Sequence, residues 1–169
     1  MDKKILLEIK GLKKYFLIRS GVFSKIAGYV QAVDGVSFYI KKGEIFGLVG
    51  ESGCGKTTTG RLILRLLEPT EGEVDFEGEN IFKFDKEKMR GARRNMQIIF
   101  QDPFASLNPR MTVGDIIGEP LIIHKIARGK EKEKRVSDLL ETVGMEPRYK
   151  KRYPIHCPDY PFVSIKICL

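Results

Sequence analysis

The sequence predicts an α/β fold organised around a phosphate-binding loop, and three consecutive features support this. A short apolar run, Ile45–Val49, is typical of a buried parallel strand. The glycine-rich segment that follows, Gly50–Thr58, contains the Walker A pattern G-x-x-x-x-G-K-T. Apolar residues then recur at helical spacing over residues 59–67. The loop therefore lies between a predicted strand and a predicted helix, the context in which this motif binds phosphate.

The chemistry of this loop suits a nucleoside triphosphate. Glycines allow the backbone to curl until successive N–H groups face one concavity. The start of a helix adds unpaired N–H groups and the positive end of the helix dipole. Lys56 would place a positive charge near the outer phosphates, and the Thr57 hydroxyl would ligate Mg²⁺. The alternative is a glycine-rich turn that matches the motif by coincidence.

The composition is that of a soluble globular protein. The 169 residues suffice for one domain with a core, and 42% are hydrophobic and 31% charged. Apolar runs are shorter than the roughly 20 residues that span a bilayer. The N-terminus lacks the features of a signal peptide, so we expect a cytoplasmic chain. Three cysteines without metal-ligand spacing do not indicate a disulfide framework.

The net charge of +8 leaves three classes of partner open: nucleic acid, an anionic membrane surface or anionic ligands. Acidic residues are interleaved with the basic ones through much of the chain, which favours solvated helix faces. The sequence also lacks a basic stripe interleaved with aromatic residues. We therefore expect no nucleic-acid partner.

The pattern of elements changes along the chain, with strands predicted early and helices late. The predicted strands, besides Ile45–Val49, are Ile5–Ile9, Val36–Ile40, Glu73–Gly78 and a second buried strand within Met96–Gln101. A charged helix is predicted over residues 84–94, and an apolar helix over 113–122 with Pro120 as a kink or break. Residues 136–143 have a clean amphipathic pattern, with Gly144 placed to end that helix.

The segment Ile98–Pro103, read together with the Walker A loop, allows a family to be named. It resembles the ATP-binding subunit of an ABC transporter, in which the glutamine opens the Q-loop. The continuation Phe104–Gly114 and the earlier Ala32–Phe38 resemble the dipeptide and oligopeptide importer branch, particularly the second ATPase subunit of its two-ATPase systems. The resemblance covers about Leu6–Pro154. Relatives in this branch also move sugars, nickel or glutathione, so the solute does not follow.

The resemblance implies a fold and a division into domains. The fold is that of a P-loop NTPase of the ABC type, seen in its N-terminal portion, with an antiparallel β part, core strands and a helical subdomain. Residues 1–154 would form this portion, with the core in 1–103 and the helical subdomain in about 104–154. Residues 155–169 would be a divergent apolar tail.

The resemblance also implies ATP and Mg²⁺ as cofactors and assigns the site. Tyr15 would stack on adenine, and Gln101 would touch Mg²⁺ or the attacking water. The alternatives are that Tyr15 or Phe16 packs in the edge of the sheet and that Gln101 is a polar strand end. Thr57 and Gln101 would lie at the metal. The phosphates would be held by eight loop residues: Gly50, Ser52, Gly53, Cys54, Gly55, Lys56, Thr57 and Thr58.

The chain departs from the family pattern after Pro154. The S-G-G-Q signature, an apolar run ending in Asp-Glu, and the switch histidine are missing from the sequence. We therefore expect little or no ATPase activity from the chain in isolation. The central sheet would be incomplete, with Ile45–Val49 and Ile98–Phe100 lacking neighbours and exposing apolar faces. A truncated or frame-shifted gene product is the simplest hypothesis for this departure.

The predicted function is to energise import as an ATP-binding subunit. By the resemblance, it would dock on the cytoplasmic face of membrane permease subunits, alongside a second ATPase subunit, largely through residues 108–144. Two alternatives stay open. One is a non-catalytic nucleotide-binding or interaction fragment, and the other, suggested only by the charge, is a nucleic-acid-associated ABC ATPase.

Overall fold

The computed structural model describes residues 4–21, 25–99 and 107–156. The chain forms two compact units, Met1–Met96 and Gln97–Leu169. Each has its own cluster of buried apolar side chains. In the described ranges, no helix combines the length and the apolar character needed to cross a bilayer.

The first unit contains a four-stranded antiparallel sheet in the order β2-β1-β3-β4. The strands are β1 (Ile5–Ser20), β2 (Lys25–Lys41), β3 (Glu71–Phe76) and β4 (Glu79–Asn80). The predicted antiparallel part is confirmed. β1 and β2 are longer than predicted because they continue as a hairpin beyond the reach of β3, with Leu17 paired to Tyr29.

Two helices complete the first unit: α1 (Lys56–Ile63) and α2 (Lys86–Ala92), the latter preceded by a 3-10 turn, Ile81–Lys83. α2 begins later than the predicted residue 84 because Asp85 caps it, its carboxylate accepting from the Lys88 N–H at 2.7 Å; the helix ends at Ala92, two residues before the predicted end. Eight buried side chains form the core that joins the helices to the sheet: Leu7, Ile9, Leu12, Val33, Leu62, Val74, Ile81 and Met89.

The second unit is helical in its described part. It contains α3 (Val113–Ile123), α4 (Gly129–Thr142) and 3-10 turns at Pro147–Lys151 and Pro154–His156. The amphipathic pattern predicted for α4 is confirmed, since Val136 and Leu140 are buried in the core of this unit. Pro120 does not end α3. The helix continues for three residues because a proline removes only one backbone bond, while the buried Leu121 packs the next turn into the core.

The prediction of two core strands, at Ile45–Val49 and within Met96–Gln101, is wrong for the residues that the structure describes. Among the described residues, neither Ile45–Val49 nor residues 96–99 form strand ladders. A parallel strand needs at least one hydrogen-bonded neighbouring strand, and neither segment has one among the described residues. The expectation that both segments would expose apolar faces is confirmed: Ile45 is 100% exposed, Val49 94% and Ile99 58%.

Candidate functional site

The helix that follows the glycine-rich loop begins at Lys56. Gly55 is its N-terminal flanking residue, with φ +94°, and no side chain caps the helix. The Thr59 N–H and hydroxyl both donate to the Gly55 carbonyl, at 2.8 and 3.0 Å. The first-turn amides of Lys56, Thr57 and Thr58 have no acceptor within an α-helix. They are donors for an anion at the positive end of the helix dipole.

The helix is anchored by its buried face. Leu62 is fully buried and Thr59 is 4% exposed, so the first turns of α1 are packed onto the core of this unit. The side chain of Thr57, one residue into the helix, is exposed. Its hydroxyl is therefore accessible as an oxygen ligand for a hard cation.

The Lys56 ammonium lies against the start of the loop. It donates to the carbonyls of Gly50 at 2.7 Å and Glu51 at 2.5 Å, and lies 3.4 Å from the Cys54 sulfur. These contacts close the loop between its first residue and the helix. They hold the positive charge beside the loop backbone, where an incoming phosphate oxygen can compete for it.

The loop backbone approaches neighbouring atoms closely at two of its glycines, which excludes a side chain there. A Cβ on Gly55 would lie 2.1 Å from the Ala32 carbonyl oxygen, so only glycine fits there. Gly53 also adopts a left-handed conformation, with φ +84°. A Cβ on Gly50 would lie 2.6 Å from the Cys54 sulfur. A glycine-lined loop, free helix amides, a lysine and an exposed hydroxyl together fit a triphosphate with its metal.

Tyr15 lies on β1 and is held at both ends. Its backbone N–H donates to the Thr70 hydroxyl at 2.9 Å, and its phenol donates to the Asp34 carboxylate at 2.5 Å. The hydrogen bond to Asp34 raises the pKa of Tyr15 above its ordinary value. The ring is half-buried, while neighbouring Phe16 is 39% exposed. The phenol therefore has a specific polar partner, which simple packing in a sheet edge would not require.

Asp34 and Thr70 were not identified from the sequence. Contact between Tyr15 and Asp34 depends on how β1 and β2 align, and turn signals do not fix that alignment. Gln101, assigned to the metal by the resemblance, lies outside the described residues. Its role stays a prediction.

Comparison with known proteins decides the family. The family model described as ABC transporter matches residues 33–156. The chain belongs to the ABC transporter family. The resemblance found in the sequence is therefore confirmed, and so is the P-loop fold class.

Curated ABC relatives include importer subunits. The chain is 51% identical over 154 residues to the oligopeptide transport ATP-binding protein AppF of Bacillus subtilis, covering 90% of this chain and 47% of that protein. It is 56% identical over 151 residues to OppF of the same organism, covering 88% and 47%. The glutathione import protein GsiA of Pectobacterium atrosepticum is 48% identical, covering 88% and 24%. The chain spans about half the length, or less, of these relatives.

Solved ABC structures share the fold. A dimeric ATP-binding cassette in a post-hydrolysis state, bound to ADP and Pi, matches with a TM-score of 0.71 and 27% identity. That match covers 90% of this chain and 63% of the solved one. A further dimeric structure of the same cassette matches with a TM-score of 0.70 and 26% identity.

Proposed function

We propose that this chain supplies ATP binding for an ABC importer of oligopeptides, dipeptides or related small solutes. The observation that carries the proposal is the loop geometry: Gly55 packs against Ala32, and the Lys56 ammonium lies on the carbonyls of Gly50 and Glu51. The names of the curated relatives, oligopeptide transport ATP-binding proteins, support the class of solute.

The proposed ligand is ATP with Mg²⁺. Loop amides between Ser52 and Thr58 hold the phosphates, Lys56 neutralises the outer two, and the Thr57 hydroxyl takes a position on the metal. The metal supplies charge neutralisation at the phosphates. Gln101 is a second residue proposed for the metal, and Tyr15 is proposed to stack on the adenine. ADP and Pi in the matched cassette support a nucleotide at this loop.

The proposed partners are membrane permease subunits and a second ATPase subunit, on the inner face of the cell membrane. Residues 108–144, which include α3 and α4, would form much of the docking surface. They belong to the proposed helical subdomain, about 104–154, with the nucleotide core in 1–103 and an apolar tail in 155–169. Support comes from the relatives, which are named as transport proteins.

Binding is tested by titrating ATP and Mg²⁺ into the 169-residue chain in a calorimeter. We expect saturable binding that weakens about 10- to 100-fold in Lys56→Ala, because a charge-assisted hydrogen bond contributes roughly 1.5–3 kcal/mol. The matched control is Lys42→Ala, an exposed lysine outside the loop, which should bind as the wild type does. Equal affinity in Lys56→Ala and wild type would overturn the proposal.

Hydrolysis by the isolated chain is expected to be negligible. The 169 residues contain no S-G-G-Q segment and no apolar run ending in Asp-Glu, so they offer no evident base for the attacking water. Phosphate release is measured over hours with excess ATP and Mg²⁺. Steady turnover that disappears in Lys56→Ala would contradict this expectation, whereas binding without turnover supports it.

A further inference from the structure

We propose that Asp34 is a positioning residue for nucleotide-base recognition: by accepting the Tyr15 phenol hydrogen bond, it fixes the ring on which the base stacks. This inference rests on the proposed ATP-binding function and adds a residue to it. The proposal depends on three observations, namely the hydrogen bond, the strand irregularity that creates it, and the shared attachment of ring and phosphate loop to β2.

The hydrogen bond completes a two-point attachment of Tyr15. Thr70 fixes the backbone N–H at 2.9 Å, and Asp34 fixes the phenol oxygen at 2.5 Å. A tyrosine ring has two rotatable side-chain bonds, and tethering its far end removes most of that freedom. The ring is thereby held in one orientation before a base arrives, and preorganisation of this kind improves affinity.

An irregularity in β2 makes this contact possible. Lys14 pairs with Val33 and Tyr15 with Gln31, so Ala32 is left without a cross-strand partner in the described hairpin. An extra residue of this kind bends the strand and redirects neighbouring side chains. Tyr15 therefore reaches Asp34, although Asp34 lies three residues beyond its ladder partner.

The same irregularity touches the phosphate loop. The Ala32 carbonyl is the group that a Cβ on Gly55 would meet at 2.1 Å, and Val33 lies 3.5 Å from the same position. Three consecutive residues of β2 thus have different contacts. Ala32 lies against the loop at Gly55, Val33 is buried in the core, and Asp34 accepts from the Tyr15 phenol. The proposed base-stacking and phosphate-binding groups are therefore both in contact with one short segment of β2.

Electrostatics agrees with this arrangement. The bond to the Asp34 carboxylate raises the pKa of Tyr15 above its ordinary value, because the carboxylate accepts from the protonated phenol. Lys13, two residues before Tyr15 on β1, forms an ion pair with Glu71 at 2.8 Å.

The experiment compares ATP with inorganic tripolyphosphate, which has no base, by calorimetric titration of the full chain with Mg²⁺. Asp34→Ala should weaken ATP binding about three- to tenfold, as for loss of one hydrogen bond, and leave tripolyphosphate binding unchanged. Tyr15→Phe should do the same, and the double variant should lose no more than either single one. Asp34→Asn, whose amide oxygen still accepts, should keep most of the affinity.

A control variant and a second measurement distinguish positioning of the Tyr15 ring from a general loss of structure. Asp75→Ala removes another strand carboxylate, one bonded to Lys10 at 2.8 Å, and should bind both ligands normally. Ultraviolet titration should show the pKa of Tyr15 falling in Asp34→Ala, because its acceptor has been removed. This readout needs no nucleotide.

The outcomes distinguish the two proposals. An unchanged ATP affinity in Asp34→Ala, an equal loss of both ligands, or additive losses in the double variant would overturn the role of Asp34. Wild type that binds tripolyphosphate as tightly as ATP would also overturn it, while leaving the phosphate loop intact. Wild type that binds neither ligand would overturn the proposed function and this inference together.

Discussion

Two segments flank the phosphate loop, and they have opposite environments. On the C-terminal side, α1 buries Leu62 completely and leaves Thr59 4% exposed. On the N-terminal side, Ile45 is 100% exposed and Val49 94%. Ile45–Val49 is the more apolar of the two segments, so hydrophobicity alone does not explain the difference.

The difference lies in where each segment finds its hydrogen-bond partners. A helix satisfies most of its backbone groups internally and needs only one packed face. A parallel strand takes all its ladder partners from other strands and is buried on both faces. The described residues supply a sheet face for α1 but no strand neighbour for residues 45–49, where the Phe46 ring stacks on Phe38 at 4.8 Å between centroids. The half of the loop that carries Lys56 and Thr57 is therefore the half that is packed.

The largest expected effect comes from truncating one apolar side chain on each side of the loop. Leu62→Ala should lower the free energy of unfolding by about 2–5 kcal/mol, because it opens a cavity in a closed core. Ile45→Ala, with a similar loss of volume at a fully exposed position, should change it by less than about 0.5 kcal/mol. Urea denaturation followed by circular dichroism measures both.

The comparison between the two segments fails if Ile45→Ala lowers the free energy of unfolding as much as Leu62→Ala does, or more. An Ile45→Ala loss of several kcal/mol would show that residues 45–49 are buried in a ladder in solution. A small loss in Leu62→Ala would show that α1 is not anchored to the sheet as described.

A smaller effect is expected from adding a single methyl group at a glycine on each side. Gly55→Ala places a Cβ against the Ala32 carbonyl and strains a backbone with φ +94°, so we expect a loss of about 1–3 kcal/mol. Gly47→Ala meets no atom within 4 Å and should stay within about 0.5 kcal/mol. Thermal unfolding of the two variants checks this, and equal melting temperatures would contradict the packing of Gly55 against β2.

Local signals in the sequence identified the loop, the helix that follows it and the amphipathic face of α4, although that first helix spans Lys56–Ile63 and not the predicted 59–67. These features depend on motif spacing and on periodicity within one segment, which a single sequence displays. Val136 and Leu140 are buried as their spacing predicts. The fold class and the family, inferred from Gly50–Thr58 and Ile98–Pro103, are confirmed as well.

Features that depend on other segments could not be predicted in this way. The apolar run at Ile45–Val49 has the composition of a buried strand, but its burial depends on neighbours elsewhere. The bond between Tyr15 and Asp34 depends on the unpaired Ala32 in β2, which no turn or propensity signal marks. The assignments of Tyr15, Thr57 and Gln101 to a nucleotide stay predictions until binding is measured.

The central claim, that the helix side of the loop is a folded phosphate site, is tested most directly by hydrogen–deuterium exchange over residues 45–63 with and without ATP and Mg²⁺. We predict slow exchange in α1 after its first turn under both conditions, fast exchange at 45–49 without ligand, and ATP-dependent protection of the amides at 52–58. Amides at 52–58 that exchange identically with and without ATP, or an α1 that exchanges as fast as 45–49, would contradict the account.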